Sequence, residues 1–134
     1  MTTLKTETLP IRAETDLVRA RQAVRAWAVE IKFSILDQTK MVTAASELGR
    51  NTLVYGGGGT MALELLDDFG RKGLRLIFED RGPGIADLER AMTDGYTTGG
   101  GMGLGLSGSK RLVNEFEIDS RVGEGTRVTI TRWK

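Results

Sequence analysis

The segment Leu74–Ile85, LRLIFEDRGPGI, joins a nearly continuous apolar run to an acidic residue and a glycine-rich turn. The run LRLIF is typical of an interior β-strand, which is buried on both faces. Asp80 follows at the strand end, and Gly82 and Gly84 permit a tight turn that lets a flat ligand approach the backbone. An ionised carboxylate only accepts hydrogen bonds, which suits the exocyclic amine of a base such as adenine. An ordinary turn with a solvated aspartate would give the same pattern, so this segment alone leaves both interpretations open.

Upstream of this segment, the pattern predicts one strand and two helices. Residues 4–13 are rich in β-prone residues and contain a proline, as in an edge strand. A helix capped by Thr15 or Asp16 follows, and its apolar positions are Leu17, Val18, Ala20, Val24, Trp27, Ala28 and Ile31. A second helix is capped by Asp37 and stopped by the glycine run 56–59, to which we assign no ligand-binding role. The apolar stripe of this second helix is Met41, Ala45, Leu48, Thr52 and Tyr55.

The rest of the chain predicts strands over 60–66 and 74–79, helices over 86–92 and 104–116, and a hairpin of 118–122 with 126–131. The first two of these strands are joined by a turn through Asp67, Asp68, Gly70 and Gly73. Helices and strands are segregated rather than alternating. The prediction is therefore an α+β fold, a two-layer α/β sandwich whose mixed or antiparallel sheet is covered on one face by helices. The length of 134 residues suits one domain spanning 1–134.

Composition restricts the chemistry that this chain can perform. Lys plus Arg number 19 against 18 for Asp plus Glu, a balance that lacks the basic footprint of a nucleic-acid binder. Cysteine and histidine are both absent, which excludes disulfides, thiolate metal sites and the commonest general base. No apolar run approaches the roughly 20 residues that span a bilayer, and the polar start is unlike a signal peptide. We therefore expect a cytoplasmic protein that binds neither nucleic acid nor membrane.

Glu47 and Asn51 lie four positions apart on the predicted second helix, and therefore on one face of it. That face is offset by one position from the apolar stripe, so it would border a cleft. A carboxylate and an amide oxygen in this arrangement can orient a hydroxyl or hold Mg²⁺. For this pair alone, a solvated helix face is the simpler explanation.

The segment Thr97–Leu112, TTGGGMGLGLSGSKRL, is the second candidate ligand-binding element. Its glycines expose successive backbone N–H groups ahead of a helix, which together form a nest for an anion such as phosphate. A flexible loop would have the same composition. The segment lacks the Gly-Lys-Ser/Thr ending of a P-loop, and no βαβ unit surrounds it as in a Rossmann fold.

In this order, the segments resemble the motifs of the superfamily of ATPases that includes gyrase, the large heat-shock chaperone, histidine kinases and mismatch-repair proteins. ELGRN (47–51) resembles its N box, DRGPGI (80–85) its first glycine box, GMGLGL (101–106) its second, and GEGTRVTI (123–130) its final Gly-Thr strand. The resemblance covers nearly the whole chain and implies the histidine-kinase-like ATPase fold. By size, the chain looks like the small bacterial serine/threonine kinases of the anti-sigma regulatory factor family. Among them it is most similar to the stressosome switch kinases of the Rsb system.

This resemblance implies a role for each motif residue. Asn51 would ligate Mg²⁺, and Glu47 would be the catalytic base for the incoming hydroxyl. Asp80 would accept a hydrogen bond from the adenine amino group, and Thr126 would lie near the adenine base. The other ATP-binding residues would be Gly82, Gly84 and Ile85 around the ring, and Thr98, Gly99, Gly100, Gly101, Gly103, Leu104 and Gly105 in the lid. One departure is Gly49 inside the N-box helix, which costs the helix about 1 kcal/mol relative to Ala.

The resemblance also implies a function. The chain would use Mg-ATP to phosphorylate an STAS-domain protein and, as a partner-switching regulator, would bind a serine phosphatase in a sigma-factor stress pathway. A second hypothesis is an anti-sigma kinase whose main task is to sequester a sigma factor. A third is a non-catalytic module that binds nucleotide only, which the presence of Glu47 disfavours.

Overall fold

Five β-strands form one sheet in the described part of the chain. They are β1 (Thr2–Ile11), β2 (Gly59–Asp68), β3 (Arg71–Asp80), β4 (Glu115–Arg121) and β5 (Gly125–Trp133), in the spatial order β1–β2–β3–β5–β4. Each of the four neighbouring pairs is antiparallel. The structure is a computed structural model, and it describes residues 1–93 and 105–134.

Two long helices, α1 (Glu14–Glu30) and α2 (Ile35–Arg50), cover one face of this sheet. A π-helical turn, Asn51–Tyr55, extends α2, and two short helices follow, α3 (Leu88–Ala91) and α4 (Leu106–Arg111). The core lies between α1, α2 and the sheet, and its fully buried side chains include Leu17, Val24, Met41, Leu48, Met61, Leu63, Leu76, Phe78 and Ile130. The predicted two-layer α+β sandwich is confirmed. Within the ranges 1–93 and 105–134, no helix is both long enough and apolar enough to cross a bilayer.

The helix caps differ from the prediction. The residue that precedes α1 is Ala13, and Asp16 instead accepts hydrogen bonds from the backbone N–H groups of Arg12 and Ala13, at 2.8 and 3.1 Å. Ser34, not Asp37, caps α2, because its Oγ accepts the backbone N–H of Asp37 at 3.1 Å. The residues predicted as caps, Thr15 or Asp16 and Asp37, therefore lie within the first turn of their helices. Val18, predicted on the apolar side of α1, is 44% exposed.

The helix predicted over 104–116 is present at Leu106–Arg111, but its predicted end is wrong. Helix α4 ends at Arg111, and residues 115–121 form the edge strand β4. In β4, Phe116 and Ile118 pack against the core while Glu115 and Glu117 are exposed. This alternation has the period of a strand, and the helical interpretation overlooked it.

The turn between β2 and β3 is shorter than predicted. Phe69 and Gly70 form it with positive φ angles of 52° and 90°, and Asp67 Oδ1 accepts the backbone N–H of Gly70 at 2.7 Å. Gly73 lies inside β3 rather than in the turn. A Cβ at position 73 would lie 2.5 Å from the ring of Trp133, so the glycine leaves room for that indole.

Gly49 has a packing role that accounts for its place inside α2. It is buried where α2 meets α1, and a Cβ at this position would lie 3.0 Å from Leu17 Cδ2 and 3.8 Å from the Phe78 ring. The glycine therefore lets the two helices approach closely over β3. The start of α2 is fixed to the sheet by Arg132, whose guanidinium donates to Asp37 Oδ1 at 2.6 and 3.2 Å.

Candidate functional site

A narrow cavity lies where the end of α2 meets the ends of β3 and β5. Its lining residues are Leu48, Asn51, Thr52, Tyr55, Phe78, Asp80, Ile85, Leu106, Thr126 and Val128. Of the residues predicted from the sequence, the structure thus brings together Asn51, Asp80, Ile85 and Thr126. The cavity volume is about 20 Å³, room for about one water molecule, so a larger ligand enters only if lining side chains move apart.

The π-helical turn places three side chains at this cavity. Its wider winding is marked by the backbone N–H of Gly56, which donates to the carbonyl of Asn51 five residues earlier at 2.8 Å. Asn51, Thr52 and Tyr55 all line the cavity. The Thr52 hydroxyl donates to the Leu48 carbonyl at 3.0 Å, so its hydrogen is already used within the helix.

Asp80 supplies a half-buried carboxylate to the cavity. Its Oδ1 accepts the backbone N–H of Gly82 at 2.9 Å, and the backbone N–H of Thr126 is a second donor to it. Burial raises the pKa of Asp80 above its ordinary value of 3.8, and the two backbone hydrogen bonds oppose that rise. A carboxylate in this setting is a strong acceptor for an N–H group of a ligand.

Gly56 is a site residue that the sequence interpretation missed. A Cβ at position 56 would lie 2.3 Å from Asp80 Cγ, and a Cβ at position 82 would lie 2.7 Å from Gly56 Cα. The two glycines therefore pack against each other and leave space for the Asp80 carboxylate. The glycine run 56–59 does end the helix as predicted, but its first member also shapes the site.

The glycine-rich turn after β3 rests on the β4–β5 hairpin. Gly84 has a φ of +75°, and a Cβ there would lie 2.2 Å from the carbonyl oxygen of Arg121. The backbone N–H of Gly123 donates to the Pro83 carbonyl at 2.8 Å. Gly84 is therefore required both by its backbone conformation and by this close approach.

Glu47 lies outside the cavity lining, one helical turn before Asn51, and is exposed. Gly105, which precedes α4, approaches its carboxylate, since a Cβ at position 105 would lie 2.7 Å from Glu47 Oε2. Gly105 has a φ of +63°, so glycine suits both the backbone and the contact. The predicted lid residues Thr98, Gly99, Gly100, Gly101, Gly103 and Leu104 lie outside the described residues.

The donor set suits a metal ion only in part. In the ranges 1–93 and 105–134, no group of three or more Asp, Glu, His or Cys side chains is arranged to hold one. Asn51 offers an amide oxygen at the cavity, which fits Mg²⁺ provided that most other ligands come from a bound phosphate or from water.

A larger hollow lies on the face of the sheet opposite α1 and α2. Its volume is about 610 Å³, and charged side chains line it, among them Glu64, Arg75, Glu117 and Arg127. Arg75 and Arg127 already pair with Glu64 and Glu79, at 3.4 and 3.5 Å. We place the functional site at the smaller cavity, because it combines apolar walls with a half-buried carboxylate.

Comparison with known proteins matches the part of the chain that carries the cavity. Residues 36–134 match the family model described as histidine kinase-, DNA gyrase B-, and HSP90-like ATPase. The chain is 47% identical over 123 residues to the serine/threonine-protein kinase RsbT of Bacillus subtilis (strain 168), which covers 92% of each protein. It is 28% identical over 118 residues to the anti-sigma F factor of Clostridium novyi (strain NT), covering 84% of this chain and 82% of that protein.

A solved structure shares the fold. The crystal structure of the RsbU and RsbW domains of a Mycobacterium tuberculosis protein matches with a TM-score of 0.63 and 23% sequence identity. The match covers 97% of this chain and 33% of that one.

Proposed function

We propose, from the premise that this chain belongs to the histidine kinase-, DNA gyrase B-, and HSP90-like ATPase family, that it is a serine/threonine protein kinase with its ATP site at the cavity beside Asp80. Family membership rests on the match over residues 36–134. The identity of 47% to RsbT over most of both chains supports the kinase activity and a role in partner switching with other regulatory proteins. The kinase would act in the cytoplasm, in a pathway that controls a sigma factor.

The observation that carries the nucleotide assignment is the half-buried Asp80 carboxylate at an apolar cavity. Adenine presents an exocyclic amine, which donates to such an acceptor, and its ring is flat and largely apolar. Guanine presents a carbonyl at the matching position, which would leave two acceptors facing each other. Gly56 packs directly against this carboxylate, and its lack of a side chain lets Asp80 stand at the cavity, where the ring edge would reach it.

The phosphates would extend from the cavity toward the rim that Asn51 and Gly105 form. Asn51 would be one ligand of Mg²⁺, and the glycine-rich stretch that ends at Gly105 would supply backbone N–H groups to the phosphate oxygens. Phosphoryl transfer depends mainly on positioning and charge neutralisation, so a metal ion and such a nest supply most of what it requires.

Glu47 would be the general base. It lies at the rim rather than in the cavity, so its carboxylate is open to a hydroxyl brought by a second protein. Its place one turn before Asn51 puts it near the phosphate end of the proposed site. In this position a carboxylate can accept the proton of an attacking serine or threonine hydroxyl.

The substrate we propose is a serine or threonine of an STAS-domain protein, and the second partner is a serine phosphatase. An anti-sigma kinase that binds a sigma factor is the alternative, and the anti-sigma F factors support it at 28% and 29% identity. The higher identity to RsbT favours the first hypothesis. Co-purification separates the two: an STAS protein or phosphatase supports the first, and a sigma factor supports the second. A chain that binds no ATP in a calorimetric titration would contradict both.

A further inference from the structure

The peptide group between Gly84 and Ile85 is held at both ends by side-chain hydroxyls. The Tyr55 hydroxyl donates to the Gly84 carbonyl at 2.9 Å. The Ile85 N–H donates to Ser120 Oγ at 2.8 Å. One hydroxyl comes from the π-helical turn after α2, and the other from the edge strand β4. We propose that Tyr55 and Ser120 are positioning residues that form a hydroxyl clamp on one wall of the ATP cavity, an inference that rests on the proposed function.

The clamp acts on the peptide group that follows Gly84, the glycine of the turn after β3. Glycine adopts positive and negative φ angles about equally, so Gly84, at φ +75°, does little by itself to fix the peptide that follows it. Ile85 is buried and lines the cavity, and its side chain moves with that peptide. Fixing both the carbonyl and the N–H of one peptide group therefore fixes the position of Ile85 against a bound base.

Ser120 also connects the clamp to Thr126, which pairs with Asp80 across strands β3 and β5. Its Oγ lies 2.7 Å from Thr126 Oγ1 and 3.2 Å from the Gly125 carbonyl. A serine hydroxyl has one hydrogen and two lone pairs, and one lone pair accepts the Ile85 N–H. Its hydrogen remains for Gly125 or Thr126. A single hydroxyl thus holds the turn and contacts Thr126, which lines the cavity with Asp80.

Because the cavity is narrow, the clamp should affect how tightly ATP binds. At about 20 Å³ the cavity must widen to receive a base. With the Gly84–Ile85 peptide fixed, one wall is already in place, and only the other side has to move. Affinity improves when less of the site must be ordered during binding. Loss of the clamp should therefore weaken ATP binding rather than slow the chemical step.

The test compares Tyr55→Phe, Ser120→Ala and the double variant of the full chain. Calorimetric ATP titration and the kinetics of phosphate transfer are measured on the same preparations. Each single variant should raise the Kd and the KM for ATP roughly tenfold, because a hydrogen bond to one end of the peptide is lost. The kcat should stay within about twofold, since neither side chain is placed at the transferred phosphate. Ser120→Thr keeps the hydroxyl and should restore affinity.

The double variant distinguishes a clamp from two separate contacts. Because both hydroxyls hold the same peptide, we expect about a 20-fold loss rather than the roughly 100-fold product of two independent losses. Ser46→Ala is the matched control, since its hydroxyl donates to Val42 within α2, and it should bind ATP as the wild type does. Unchanged affinity in both single variants, a multiplicative double variant, or a lowered kcat at constant KM would overturn the clamp. Wild-type protein that binds no ATP would instead overturn the proposed function.

Discussion

Gly56 lies so close to Asp80 that the carboxylate occupies the space where a side chain at position 56 would begin. A Cβ at Gly56 would be 2.3 Å from Asp80 Cγ and 2.5 Å from Oδ2. The π-helical turn after α2 and the end of β3 thus meet at these two residues. Position 56 must be a glycine to leave space, and position 80 must carry a hydrogen-bond acceptor. The position of the proposed adenine contact depends on this pair.

Replacing Gly56 by alanine should therefore displace the Asp80 carboxylate. We expect Gly56→Ala to weaken ATP binding roughly tenfold, because the added methyl group moves the carboxylate and costs the adenine amine a hydrogen bond to a charged acceptor. Calorimetric titration measures the effect. Gly108→Ala is the control, since a Cβ at position 108 would meet no atom of residues 1–93 and 105–134 within 4 Å, and it should bind ATP normally. Normal ATP binding by Gly56→Ala would show that the Gly56–Asp80 contact does not position the adenine.

The base preference tests Asp80 directly. Wild-type protein should bind ATP much more tightly than GTP, and Asp80→Ala should lose ATP affinity severely. Asp80→Asn should lose less, because an amide that flips presents one acceptor again. The neighbouring Glu79→Gln is the control, since Glu79 is exposed and pairs with Arg127. Equal affinity for ATP and GTP would contradict the adenine contact.

The raised pKa of Asp80 predicts a pH dependence of stability in the absence of nucleotide. Where the folded-state pKa lies above 3.8, the folded protein binds more protons than the unfolded chain, so the contribution of Asp80 to stability falls as pH rises. Relative to Asp80→Asn, the wild type should therefore gain stability as the pH is lowered from 7 toward 4.5. Thermal unfolding of both proteins across this range measures the difference. A difference that stays constant or changes in the opposite direction would contradict the shift.

The Arg132–Asp37 pair should contribute to stability more than a surface ion pair does. Arg132 also donates to the Leu112 carbonyl at 2.9 Å, and the two side chains are only 16% and 24% exposed. Arg132→Ala should lower the free energy of unfolding by about 1–3 kcal/mol, because it leaves partly buried acceptors without a donor. Arg121→Ala is the matched control, since Arg121 and Asp119 are 3.9 Å apart and both 72% exposed. We expect it to change stability by about 0–0.5 kcal/mol in denaturant unfolding.

The sequence was sufficient for the order of the elements and for part of the site, because local periodicity and motif spacing carry that information. Asp80, Asn51 and Thr126 come from quoted motifs, and all three line one cavity. The second half of β4 was predicted as part of the hairpin, but its first residues, 115–117, were assigned to the preceding helix, because no strong turn signal separates β4 from that short helix.

The clamp residues had no signal in the sequence. Tyr55 contacts a carbonyl 29 positions away, and Ser120 contacts an N–H 35 positions away. The sequence predicts Tyr55 as a member of the apolar stripe of its helix, and Ser120 as one residue of the strand 118–122. Only the packing of the π-helical turn and of strand β4 around the turn after β3 brings these hydroxyls to one peptide, and no local pattern predicts such an arrangement.

The measurement that tests the kinase assignment most directly is the transfer of labelled phosphate from ATP to a purified STAS-domain partner by the wild type and by Glu47→Gln. An ATP titration on the same preparations separates binding from catalysis. If Glu47 is the base, the variant should keep its ATP affinity within a few-fold while transfer falls by roughly 10²-fold or more. Transfer by Glu47→Gln at the wild-type rate would contradict the role of Glu47 as the general base, and a wild-type protein that binds ATP but transfers no phosphate would contradict the kinase assignment.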